Sequence, residues 1–365
     1  MRVGLLVTSI GNFGQKGFYN AQEIGLAKAL VNYVDEVVIY KLIPNTQPKS
    51  SEKVENCEKV ILNLVPSKSF GINGFFPLKE LDKTLDMLVY FSDTQLMVPS
   101  VYGWAKRNNI RFYPYIGVLE SHSTSPLKKV IIDTLFKRNL SIYRKCHCLV
   151  KTPTVEQNLR KLGVSNISVT PVGLDLTLLR QNTEQTDVNQ LKKKYGFQNE
   201  DKILLFIGRL IEEKQPLRML DVFSEVYQRD QSYKLLIVGK GSLQDKLNQK
   251  ISSLGIKDSV RQIEQIPNCD IWELYRIAEC FVNLNQQEIF GMAILEAMYY
   301  GCKVVAWKAP GPELIIEDSV SGYLVDSNAT VVNQIMETQY SPEKGKQRVL
   351  DCFTWENMAR KLVSL

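Results

Sequence analysis

Two doubly wound α/β domains are predicted by three features of this 365-residue chain. Short continuous apolar runs, such as Ile203-Leu204-Leu205-Phe206-Ile207, recur along it. Strands buried on both faces of a parallel sheet have that character. These runs alternate with helical patterns, the order that builds strand–helix–strand units. A polar stretch at 180–202, including Arg180-Gln181-Asn182-Thr183-Glu184, separates two such series.

The first series of predicted strands covers 2–8, 36–43, 59–65, 86–92, 110–117, 148–151 and 167–171. The second covers 203–208, 234–239, 259–263, 280–285, 303–307 and 322–325. Helical spacing marks 18–33, 215–229, 242–253 and 291–300 between them. The boundary falls at about 175–190, and we place it after residue 178, giving domains at 1–178 and 179–350. Ligands of such sheets bind outside the carboxyl ends of the strands, so the chemistry is sought there.

Composition narrows the function. Apolar residues make up 44% and charged residues 23%, which supports a packed core and excludes wholesale disorder. Lys and Arg number 45 against 39 Asp and Glu, a mild excess of +6 for a nucleic-acid binder. No run of 18 apolar residues occurs, so no spanning helix is predicted. The apolar start, 2–8, is too short for a secretion signal and reads as a buried strand. Seven scattered cysteines fit reduced thiols in a cytosolic protein. Cys146-His147-Cys148 resembles half of a zinc site, but no second pair exists, so small residues entering a strand are expected.

Three segments just after strands carry the candidate chemistry. Gly11, Gly14 and Gly17 follow the first strand, where glycines let a backbone approach a ligand. Their spacing is not that of a dinucleotide fingerprint, and Tyr40-Lys41 stands where a ribose-binding acid would be needed. Gly208-Arg209-Leu210 follows the strand 203–208, and Lys214 precedes a helix beginning near Pro216. Two cations at a strand end can neutralise a diphosphate without a metal. Asn285 to Gly301 contains Glu288 and Glu296, with a helix expected from Gly291 and capped by Gly301. On one helix those glutamates would lie roughly 12 Å apart, so they could bracket an extended ligand.

Taken in order, Gly208-Arg209-Leu210, Glu213-Lys214, Glu288-x7-Glu296 around Phe290-Gly291, Pro312-Glu313 and Ser321-Gly322-Tyr323-Leu324-Val325 resemble the second domain of family 4 retaining glycosyltransferases. Val169 to Asp175 resembles that family's linker, and Phe353 to Ala359 its final helix. The resemblance implies the GT-B fold, two Rossmann-like domains with the segment 351–365 returning to the first. It implies a nucleotide-sugar co-substrate, UDP being the commoner donor, no further cofactor and no metal; no D-x-D motif occurs. Arg209 and Lys214 would hold the diphosphate, Glu288 the sugar hydroxyls and Glu296 the ribose. Gly208, Phe290, Gly291, Met292 and Ala293 would supply backbone contacts, and Ile266 would line the base. Gly14 and Gly17 would close over the donor, and His122 would position the sugar. An acceptor-derived proton would pass to the leaving phosphate, so no side-chain base is required.

The surplus charge concentrates at 128–161, where nine cations face two anions. Apolar residues between them suggest a basic amphipathic helix suited to an anionic membrane surface, on the cytoplasmic face. A glycan or lipid-linked acceptor in bacterial surface-polysaccharide or glycolipid assembly is then expected. A sugar-nucleotide epimerase or a non-catalytic partner subunit are the alternatives. Nucleic-acid binding is not supported, because interleaved stacking aromatics are missing.

Overall fold

The computed structural model describes residues 1–10, 22–70, 73–93, 95–119, 126–181 and 183–365, without the side chains of 69–70 and 126–129. Gly14, Gly17 and His122 lie outside the described residues. Two compact units result: Met1–Gly173 together with Trp355–Leu365, and Leu174–Thr354.

The first unit is built on β1 (Arg2–Val7), β2 (Glu36–Pro44), β3 (Ser50–Val54), β4 (Cys57–Ser67), a two-residue hairpin of β5 (Ser69–Phe70) and β6 (Asn73–Gly74), β7 (Met87–Phe91), β8 (Arg111–Ile116), β9 (Cys148–Val150) and β10 (Ile167–Val169). Its main sheet has the order β10-β9-β8-β7-β1-β2-β4-β3. Only the edge strand β3 runs antiparallel. Strand order reverses at β1, which pairs with β2 on one side and β7 on the other. Leu5, Leu6, Val37, Ile39, Leu88 and Val89 are fully or almost fully buried on alternating sides, as a sheet covered on both faces requires. One face packs on helices that contribute Val101, Trp104, Leu140, Tyr143 and Leu159. Against the helix Gln22–Leu30 packs the helix Trp355–Val363. There, a Cβ on Gly25 would fall 2.3 Å from Trp355 Nε1, so the two helices meet at a bare backbone.

The segment 128–161 is not one amphipathic helix. It divides into the helix Pro126–Tyr143, β9 and the helix Pro153–Lys161. The run Cys148-Leu149-Val150 is fully buried as a strand, and Pro153 starts a new helix whose end is capped by Thr152. Cys146 and Cys148 are core residues, and burial pushes the Cys146 thiol up to about 12. His147 Nε2 meets Ser168 Oγ at 2.9 Å.

The second unit carries six parallel strands, β11 (Lys202–Ile207), β12 (Tyr233–Val238), β13 (Val260–Ile263), β14 (Ala278–Asn283), β15 (Lys303–Trp307) and β16 (Tyr323–Val325). Their order is β13-β12-β11-β14-β15-β16, so direction reverses between β11 and β14. Leu204, Leu205, Leu235, Leu236 and Val304 have no exposed surface. A buried lysine, Lys303, donates to the carbonyls of Ile335 and Glu337 at 2.7 and 2.8 Å, satisfying the end of the helix Asn328–Met336.

Candidate active site at the strand ends of the second unit

The reversal point of a doubly wound sheet leaves a crevice between adjacent loops. Here those loops follow β11 and β14. After β11 the chain passes Gly208 and Arg209, makes a single 3-10 turn at Glu212–Lys214, and enters the helix Pro216–Arg229. Gln215 sits in the left-handed region, at φ 58°, to redirect the chain into Pro216. This delivers Lys214 to the loop after β14.

That loop is shaped by asparagines. The backbone N–H of Asn285 donates to Asn283 Oδ1 at 3.0 Å, and that of Gln287 to Asn285 Oδ1 at 2.9 Å. Both side chains thus fold the chain locally, as Asx turns do. Their amide groups then donate to Glu288 Oε2 at 3.4 and 3.2 Å. Lys214 Nζ completes the set at 2.8 Å from the same oxygen. Burial pushes the Glu288 carboxyl upward; the charge and hydrogen bond of Lys214, with Asn285 and Asn283, outweigh it and hold the group below its ordinary range. Glu288 is therefore an ionised, largely buried carboxylate paired with a half-buried lysine. Arg209 is more open, with 62% of its side chain exposed and Glu213 at 3.9 Å.

Gly291 stands at φ 99° immediately before the helix Met292–Tyr299. The helix begins one residue later than expected, with Gly291 as its N-cap. Its first-turn N–H groups, at Met292 and Ala293, have no intrahelical acceptor and point toward the loop end. Gly301 closes it at φ 79°, with Cys302 N–H donating to Ala297 O at 2.8 Å. Glu296 lies inside this helix at 4% exposure, and Tyr275 OH donates to its Oε2 at 2.9 Å. Phe290 is buried and meets Phe353 edge-on. Ile266 is half-buried in the loop after β13.

Sequence reasoning missed several residues that build this site. Asn283 and Asn285 were visible as an N-x-N pattern at a strand end. Tyr275 had no signal beyond its helix. Gly239 and Gly241 follow β12 with G-x-G spacing. A Cβ on Gly239 would fall 1.9 Å from Gly208 O, and one on Gly241 2.4 Å from Leu210 O. Gly208 N–H donates to Val238 O and Leu210 N–H to Lys240 O, at 2.9 and 3.0 Å. The two loop backbones therefore touch, with no room for side chains. Gly311 does the same beside Glu288. Its N–H donates to Glu288 O at 2.9 Å, and a Cβ there would lie 2.2 Å from Phe290 O. Beyond Gly239 and Gly241, a cleft of about 440 Å³ opens beside Gln244, Gln262 and Glu264.

The arrangement can hold an anion and a polyhydroxylated group side by side. Lys214, Arg209 and the first-turn N–H groups are chemically suited to an anion, and the Glu288 carboxylate to hydroxyl donors. Known proteins point the same way. Residues 187–348 match the family "Glycosyl transferases group 1". An uncharacterized glycosyltransferase of Methanocaldococcus jannaschii is 25% identical over 243 residues, covering 62% of this chain and 61% of that protein. The alpha-monoglucosyldiacylglycerol synthase of Streptococcus pneumoniae is 28% identical over 170 residues, covering 46% and 38%. The chain thus spans less than two thirds of the length of these relatives. The crystal structure of Anabaena HepE in complex with UDP and glucose superposes with a TM-score of 0.72 at 16% identity, covering 100% of this chain and 98% of that one. Over residues 187–348, within the second unit, the chain thus resembles the group 1 glycosyltransferases, and its architecture is the GT-B fold.

Proposed function

We propose that the chain transfers a hexose-type sugar from a nucleotide-diphosphate sugar, UDP-sugar being favoured, to a glycan or lipid-linked acceptor, with retention of anomeric configuration. The observation that carries this reading is the Lys214–Glu288 pair at the reversal of the sheet, braced by Asn283 and Asn285. An arriving diphosphate competes with Glu288 for the Lys214 ammonium. Lys214 turns toward the phosphates, Arg209 closes on them from solvent, and Glu288 is left to accept from sugar hydroxyls. Charge that builds on the leaving diphosphate is met by both cations and by the N–H groups of Met292 and Ala293. The leaving phosphate oxygen takes the acceptor proton, so these residues bind and orient without acting as a base. No metal enters this scheme. Glu296 contacts the ribose in this reading.

Support for UDP and for a lipid-linked acceptor comes from the names of the neighbours: HepE was crystallised with UDP and glucose, and the pneumococcal relative is named for a glycolipid. No helix among the described residues is long and apolar enough to cross a membrane. The helix Pro126–Tyr143 nevertheless exposes Val130 at 62% and Ile131 at 41%, with Lys137 and Arg138 on its exposed surface. We include peripheral attachment to an anionic, cytoplasmic membrane face in the proposal; flotation with anionic vesicles at low salt tests it, and protein left wholly unbound would refute it.

The donor site is tested by a thermal-shift panel of UDP, GDP, ADP and dTDP on wild type and Lys214→Ala. A ligand at 100 times its Kd stabilises by about 2.7 kcal/mol. One nucleotide should raise the wild-type melting point and leave the variant unmoved. No shift with any of them would sink the reading and favour a non-catalytic partner subunit.

A further inference from the structure

The second unit has a further cavity at the opposite end of its sheet from the Lys214–Glu288 pair. Asp201 stands just before β11 and Gly208 just after it. A strand of six residues spans about 20 Å, so the two places lie about that far apart along the sheet. The cavity measures about 250 Å³ and lies where the chain enters β11, β12 and β13. Asp201, Lys234, Asp258, Ser259 and Arg261 line it, together with Gly196. Two of these side chains are polar, more than nine-tenths buried and incompletely satisfied. Asp201 is 8% exposed. Its Oδ2 accepts the Gln198 backbone N–H at 2.7 Å, while its Oδ1 takes no hydrogen bond from a described residue. Ser259 is 3% exposed, and its hydroxyl has no hydrogen-bond partner among the described residues. Buried polar groups as a rule are hydrogen-bonded, so open positions on the lining of a cavity point to something that fills it. The charges are open as well. Two carboxylates and two cations share the cavity, yet none of the four belongs to an ion pair among the described residues. Lys234 Nζ reaches the Gln231 carbonyl at 3.4 Å and lies 5.5 Å from the centre of the Tyr227 ring. Arg261 lies against Gly196, which stands at φ 79°; a Cβ there would fall 3.7 Å from Arg261 Nε.

We propose that this cavity binds a small zwitterion, a molecule that carries an ammonium close to a carboxylate or phosphate. The ammonium donates to Asp201 Oδ1 and to the Ser259 hydroxyl, the two most buried polar groups. The anionic end takes the Arg261 guanidinium, which suits a carboxylate or phosphate, with Lys234 as the second cation. A ligand bearing one sign fits less well. An anion meets the two aspartates and a cation meets Lys234 and Arg261, so each leaves one pair of charges uncompensated. Free α-amino acids and the phosphoethanolamine headgroup share the required chemistry. The proposal does not rest on the glycosyltransferase reading, since the cavity lies at the far end of the strands from the donor loops.

The test is an NMR titration of the isotope-labelled full chain with glycine, L-alanine and phosphoethanolamine, followed at the backbone amides of Gly196, Gln198, Ser259 and Arg261. Methylammonium and acetate are the contrasting probes, each carrying one of the two charges. At least one zwitterion should shift these amides saturably in wild type. Asp201→Asn and Arg261→Met should each weaken its binding about tenfold or more, the loss of one charge-assisted hydrogen bond. Asn at 201 keeps an oxygen for the Gln198 N–H, and Arg261 is exposed, so both variants should retain the wild-type spectrum away from the cavity. Binding of glycine or L-alanine would assign the site to amino acids, and binding of phosphoethanolamine alone to a headgroup. No saturable shift with any zwitterion, undiminished binding in the folded variants, or equally tight binding of methylammonium or acetate would overturn the proposal.

Discussion

The two sheet reversals use the same residue types in opposite arrangements. In the second unit a lysine and a glutamate from neighbouring loops touch at 2.8 Å, and two asparagines finish the shell. In the first unit Asp93, after β7, is held by the backbone N–H groups of Gly117 and Val118, and Lys151, after β9, by the Tyr115 ring, with no ion pair between them. The paired arrangement compensates two partly buried charges, which in the proposed function an anion would separate. The unpaired one relies on backbone and ring instead. Pairing is thus a way to keep a cation in a protected crevice, because removing either partner leaves the other uncompensated.

The largest effect should come from breaking the pair. Lys214→Ala should lower kcat about 100- to 1000-fold, the size of losing one donor to a developing anion. A rate within tenfold of wild type would show that the diphosphate is held elsewhere. The double variant Lys214→Ala with Glu288→Gln should be more stable than the sum of the single changes, by about 0.5–3 kcal/mol in a denaturation cycle. Strict additivity would mean that the pair is not coupled.

Next in size is Gly239→Ala, expected to cost about 2–4 kcal/mol because φ is 145° and the new Cβ would meet Gly208 O. Gly103→Ala in the first unit is the control. Its nearest neighbour is Arg107 Nη1 at 3.7 Å, within the helix Val98–Arg107, and it should be neutral or stabilising by about 0.5–1 kcal/mol. Similar melting points for both variants would refute the backbone contact between the two loops. Arg209→Ala should then lower kcat by only about tenfold, since an exposed guanidinium gives up less on removal.

Acid sensitivity separates the units most finely. Glu288 has a depressed pKa in the folded chain, so its contribution is present above the ordinary carboxylate range and lost as pH falls through the folded value. His147 is lowered by burial, so stability declines as pH falls below about 6.5, the ordinary histidine value. Glu288→Gln should flatten the stability profile on the acid limb, and His147→Gln should do so at higher pH. Profiles unchanged from wild type would refute these attributions.

Much of the fold was legible because parallel strands are read by continuity of apolar residues. Ile203 to Ile207 and Val304 to Ala306 cannot be solvated on either face. Strand β3 escaped, since Ser50-Ser51-Glu52-Lys53 is an exposed edge and has no apolar run to show. The segment 128–161 misled because cations flank both helical and buried residues, and only Pro153 and the Cys148–Val150 run mark the break. In the site, Lys214 and Glu288 were legible from order and spacing, but their contact at 2.8 Å was not, since 74 residues separate them. Glu296 is expected, from the resemblance, to bind a ribose. Sequence position inside a helix does not reveal that Tyr275, from another helix, covers one oxygen. Gly239 and Gly241 look like any loop glycines until the opposing backbone is in view.

The pairing of Trp355 with Gly25 bears on the order of assembly. The second unit is a contiguous stretch, whereas the first consists of two segments separated by all of it. In chain order, the second unit is an insertion in the first. The helix Trp355–Val363 must travel back across that insertion before the bare backbone at Gly25 is covered. Loop closure across so long a span adds only about 0.6 kcal/mol for each doubling in length, so the journey costs little at equilibrium but defers completion. On the ribosome the inserted unit can finish while the surface around Gly25 still waits, open, for its tryptophan.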